Sequence, residues 1–242
     1  LPSRHIVADR GYDSDAFLGE FCTQYFGAEF AARVVALYRE YFDSFWQQKS
    51  PDLPGFDRQY LFQDNRYARA LEQLLAQIPQ GRDSNPLKDR YDESDGGYFR
   101  IVPADTGAAT QLEAIQKGTA ASIMKLERVA AEADALLLAL PTQHRTFFND
   151  NLRVPTRYLL ELNRVIHAVT RAVDCLPDHA AAVASLRQAD QAGYALRAAL
   201  NQGEHGRFAA WYQPDTVLGL ERIRQTIAIR IRELGTNAAV SR

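Results

Sequence analysis

The chain has 242 residues, 46% of them hydrophobic and 24% charged, with a formal net charge of -2 and a pI near 6.2. That length buries a sizeable core, and the composition is that of an ordinary globular protein. The near-neutral charge gives no electrostatic reason to expect nucleic acid, whose binding is driven by phosphate neutralisation, and it leaves no polybasic membrane-surface signal.

The opening, LPSRHIVADRGYDSDAF, reads as the interior of a longer protein and names no compartment. After GYDSD, with Asp13 or Ser14 as N-cap, Phe17, Leu18, Phe21, Cys22, Tyr25 and Phe26 recur at helical spacing. Gly27 ends that helix. A second helix, AEFAARVVALYREYFDSFWQQ, follows directly, with Phe30, Val34, Leu37, Tyr38, Tyr41 and Phe45 on one stripe and Trp46 beside it. KSPDLPGFD breaks the pattern, and a short helix follows over Asn65 to Ile78.

Residues 79–106 are polar and rich in Gly and Pro, so they predict a long irregular loop. Its DESD run, Asp92 to Asp95, is a solvated acidic stretch or a weak calcium candidate without the ordered ligand positions of an EF-hand.

From Thr106 or Gly107 onward the pattern is helical. One Ala-rich helix runs to Pro141. The next spans TQHRTFFNDNLRVPTRYLLELNRVIHAVTRAVDCL, and Pro155 inside it predicts a kink or break near Asn151. A third begins at Pro177-Asp178 and ends near Gly203. A last amphipathic helix sets Leu218, Ile223, Ile227, Ile231 and Leu234 on its apolar side. No stretch reaches the apolar length of a membrane span. The expected fold is all-α: a bundle of six to seven helices forming one domain over 1–242, with the loop at 79–106.

Chemistry is sparse. The five histidines are scattered, and none forms an i, i+4 pair or a Glu-x-x-His motif. His167 lies in an apolar stretch and reads as a satisfied or surface histidine. No nucleophile elbow is present. Cys22 and Cys175 have no metal-ligand spacing and read as half-buried thiols, with a disulfide left open. No motif implies a catalytic residue, a metal or a cofactor.

Three aromatic or polar stretches carry the binding candidates. QYLFQDNRY places Tyr60, Gln63, Asp64 and Arg66 close together. Those groups suit sugar hydroxyls or a uronate, and equally a helix start capped by Asp64 or Asn65. NDN, Asn149 to Asn151, is either a polar rim or a set of side chains that satisfy backbone around Pro155. GRFAAWYQPD places Trp211 and Tyr212 in a helix break, as a sugar platform or as a staple onto a core.

Together these segments resemble a family. DSDAFLGEFCTQYFG followed by AEFAARVVALYREYFDSFWQQ is similar to the start of the helical domain that follows the catalytic barrel in multidomain glycoside hydrolases, nearest to the family 115 xylan α-1,2-glucuronidases. PGFDRQYLFQDNRYARALEQLL is similar to the Tyr-bearing segment that opens a further helix there, and GRFAAWYQPDTVLGLERI to an aromatic element before the final helix. The resemblance implies a non-catalytic accessory domain that packs on the barrel, lines its cleft or mediates a homodimer, and meets carbohydrate through the parent enzyme. Tyr60, Gln63, Asp64, Arg66, Trp211 and Tyr212 are then the cleft-lining candidates. The family's catalytic acids lie on the barrel, so none is carried over. The alternative is an independent all-α protein–protein interaction module.

Overall fold

A computed structural model describes residues 13–44, 71–72, 74–78, 108–176, 178–206, 209 and 219–240. Among these, seven α-helices and one π-turn form an all-α bundle with no strand. The helices are α1 (Ser14–Phe26), α2 (Ala28–Asp43), α3 (Ala108–Ala139), α4 (Thr142–Phe148), α5 (Val154–Asp174), α6 (His179–Asn201) and α7 (Leu220–Val240). Residues 71–72 and 74–76 are also helical. The expected loop at 79–106 lies outside the described residues.

Helix ends follow local chemistry. The Asp13 carboxylate accepts from the backbone N–H of Asp15 at 2.9 Å and of Ala16 at 3.2 Å, which fixes the start of α1. Asp178 does the same for α6 through Ala180 and Ala181. Gly27 closes α1 and opens α2 in a single residue. Its N–H donates to the Thr23 carbonyl, and its own carbonyl accepts from Phe30 and Ala31. Its φ of 84° is open to glycine and costly for other residues, although an added Cβ would meet no neighbour.

α5 is the centre of the bundle. It packs on α3 and α6, while α6 carries α7, and α2 joins α1 to α3. Leu159, Leu162, Val165, Val169, Ala172 and Val173 of α5 are at most 1% exposed and form one apolar face of this helix. Ala133 of α3 and Ala182, Ala189 and Ala192 of α6 are buried small residues that let the helices approach closely.

The stripes expected from the sequence point inward. Val34, Leu37 and Tyr41 of α2 are buried, with Phe30 and Tyr38 half-buried; Phe45 and Trp46 lie outside the described residues. On α7, Ile223, Ile227 and Leu234 are fully buried and Ile231 is half-buried; Leu218 lies outside the described residues. Cys22 is fully buried rather than half-buried, and both cysteines are free thiols.

The break expected near Asn151 takes the form of a π-turn, Asn149–Arg153, with helix on both sides. The wider turn passes the chain from α4 to α5 without a gap, and the Val154 N–H reaches back to the Asn149 carbonyl. Pro155 follows the π-turn directly, so the residue that cannot donate to the helix ladder sits where the ladder changes register. Asn151 donates its side-chain amide to the Phe147 carbonyl at 2.9 Å, and Thr156 its hydroxyl to the Leu152 carbonyl at 2.7 Å. Asn149 turns its amide to Asp150 and to the Gln202 carbonyl, so the NDN side chains bond to the helix before the proline and to the end of α6.

Candidate functional site

Tyr60, Gln63, Asp64, Arg66, Trp211 and Tyr212 all lie outside the described residues, as do the DESD run and the loop around it. The described helices present three other features with functional chemistry.

The first is an aromatic ladder on α1. Phe17, Phe21 and Tyr25 sit one helical turn apart, with ring centroids 6.5 and 5.7 Å apart and nearly parallel planes. Phe147 of α4 joins at 6.0 Å from Phe21 and 4.6 Å from Tyr25, and His144 lies 5.1 Å from Tyr25. Inward, Phe26 meets Phe148 edge to face at 6.1 Å in the core. Outward, the ladder ends in solvent: Phe17 is 47% exposed, and Phe21, Tyr25 and Phe147 are half-buried.

The second is a polar clasp around the π-turn. Asp134 of α3 receives Arg153 at 2.6 Å and also pairs with Arg157. Arg153 goes on to Asn149 at 3.1 Å and to Gln202 at 2.7 Å, and His205 meets Asp150 at 2.8 Å. The clasp ties α3, α5 and the end of α6 together. One buried donor in it, Arg157 Nε, has no partner.

The third is a groove of about 360 Å³ between α3, α5 and α6. Glu161, Arg164 and His167 of α5 form one polar wall, and Gln188 and Gln191 of α6 the other. Ile123, Ala168, Ala192 and Ala195 supply the apolar part. On α6 the spacing 188, 191, 192, 195 is a helical face; on α5 the run 161, 164, 168 is another.

Glu161 is only 8% exposed. It accepts from Arg164 at 2.6 Å, and the same guanidinium reaches Glu127 of α3 at 2.7 Å. Burial pushes the Glu161 carboxyl above its usual range, against the pull of Arg164 and Arg157. Burial also holds the His167 imidazole below its ordinary value, with the charge of Arg171 acting in the same direction.

His167 is held against α3 through Thr119. Thr119 donates its hydroxyl to the Ile115 carbonyl at 2.6 Å and lies 2.9 Å from His167 Nδ1. The imidazole thus has one polar partner in Thr119 and a second at the Gln116 backbone, both on α3.

His167 was legible as a residue in an apolar helix, but its place on a groove was not. Glu161 carried one weak signal, a carboxylate set in the apolar run YLLELNRVIHAV, and Gln188 and Gln191 carried none. Pairing that helix with α6 needs tertiary information.

Among the described residues, no cluster of three or more His, Cys, Asp or Glu could hold a metal ion, and no helix is long and apolar enough to cross a membrane. Comparison with known protein families, with curated proteins and with solved structures finds no match to this chain.

Proposed function

We propose that this bundle is a non-catalytic accessory domain of a larger carbohydrate-active glycoside hydrolase, packed on the catalytic barrel of its parent chain. The observation that carries this reading is the aromatic ladder of Phe17, Phe21, Tyr25 and Phe147, which runs from the core to solvent on α1 and α4. It sits at the helix–glycine–helix corner through which the sequence resembles the family 115 enzymes. A rigid aromatic edge contributes large contact area at small entropic cost, so it suits a fixed interdomain contact.

Several further roles belong to the same proposal. The bundle reaches carbohydrate through the parent enzyme. Tyr60, Gln63, Asp64, Arg66 and the loop at 79–106 are assigned to the cleft side, and Trp211 with Tyr212 to a staple on the barrel. A homodimer contact is a second use of the same kind of surface.

The test is the complete reading frame that encodes this chain. An upstream β/α-barrel of several hundred residues with paired carboxylates is the expected finding. A frame without a barrel contradicts the proposal and leaves the ladder to a separate protein partner.

A further inference from the structure

We propose that the groove between α3, α5 and α6 binds a small neutral polyhydroxyl molecule, its hydroxyls held by His167, Gln188 and Gln191 and its carbon skeleton lying on Ile123 and Ala195. This site does not depend on the assignment of the bundle to a barrel enzyme, so either proposal can fail without the other.

Volume comes first. About 360 Å³ is inside the range of small-molecule sites, and it exists because α6 turns Ala192 and Ala195 toward α5, where larger side chains would fill the space.

Charge then restricts the ligand. Glu161 and Glu127 share Arg164, an excess of one negative charge. Arg157, one turn before Glu161 on α5, and Arg153 of the π-turn share Asp134, an excess of one positive charge, and Arg171 adds its charge one turn beyond His167. An ion entering the groove meets charges of both signs, and it loses its hydration.

Hydrogen-bonding capacity completes the selection. Arg164 and the carboxylate it holds are already engaged with each other. Open capacity remains at the amides of Gln188 and Gln191, each both donor and acceptor, with the His167 ring beside them. A ligand must therefore offer donors and acceptors within a few ångströms of each other, and hydroxyl groups do both.

The test uses three probes of one ring size on the whole chain: myo-inositol, cyclohexylammonium and cyclohexanecarboxylate. Binding is read by NMR from the His167 ring and the side-chain amides of Gln188 and Gln191. Saturable shifts with myo-inositol, and weaker or no response to the charged probes, are expected. Gln188→Leu with Gln191→Leu changes two exposed positions, keeps the melting temperature and weakens binding about tenfold or more. Ala195→Met, also at an exposed position, fills the groove and gives the same loss, read from the His167 ring. No saturable response to myo-inositol, tighter binding of either charged probe, or undiminished binding in these variants overturns the proposal.

Discussion

Arg224 of α7 lies over the ring of Tyr194 on α6, with its guanidinium carbon 3.4 Å from the ring centroid. It also pairs with Asp190 and Glu221, each at 3.1 Å. The stem of Arg224 crosses α6 at Gly193, where an added Cβ would stand 3.0 Å from both Cγ and Cδ. The glycine is there for close approach, not for a special backbone angle.

That crossing makes a prediction about coupling. In a helix interior, Gly→Ala ordinarily stabilises by about 1 kcal/mol. Here Gly193→Ala must displace Arg224 from a contact of about 0.5–1 kcal/mol, so the gain should vanish. In an Arg224→Ala background the ordinary gain should return. A double-mutant cycle by urea denaturation measures this, and equal effects in both backgrounds would contradict the packing described.

The clasp at the π-turn gives a second prediction. Asp134→Asn keeps the shape but leaves Arg153 and Arg157 without their shared carboxylate. A loss of about 1–2 kcal/mol is expected, at the low end for charged hydrogen bonds because Asp134 is 37% exposed. Chemical denaturation of the two proteins side by side gives the difference, and an unchanged midpoint would show that the clasp carries no stability.

His167 sets a pH dependence of known sign. Its folded pKa is lowered from 6.5, so the unfolded chain takes up the proton first as pH falls. The stability it contributes is whole above about 6.5 and is lost as pH falls through the lowered folded value. His167→Gln should remove that slope. Melting temperatures of both proteins across this window check it, and parallel curves would contradict the burial assigned to the imidazole.

Cys22 should be inert in the native state. It is fully buried, and burial raises its thiol pKa, which lowers the thiolate fraction. Alkylation at neutral pH followed by peptide mass analysis should modify Cys22 only after denaturant is added. Modification at the same rate in the native protein would show that the α1–α2 corner opens readily.

Much of the fold was legible because periodicity and punctuation agreed. Asp13, Gly27, Pro141 and Asp178 mark helix ends that the structure reproduces, and the stripes on α2 and α7 face the core. Pro155 was legible as a disturbance but not as a π-turn, because the turn rests on the Val154 N–H reaching five residues back to Asn149, a choice of carbonyl that no residue pattern marks. The site was less legible. Glu161 and Gln191 are far apart in the chain, and only the packing of α5 on α6 brings them to one groove. The ladder residues were visible as an apolar stripe. That Phe17 ends it in solvent depends on what α1 packs against.

The central proposal is that a barrel covers the ladder. Hydroxyl-radical footprinting of Phe17, Phe21 and Tyr25 tests it most directly, comparing this chain alone with the full gene product. The expected result is marked protection of Phe17 and Phe21 in the full product, with Phe148, already buried, unchanged in both. Equal labelling of Phe17 and Phe21 in the two proteins would contradict the proposal.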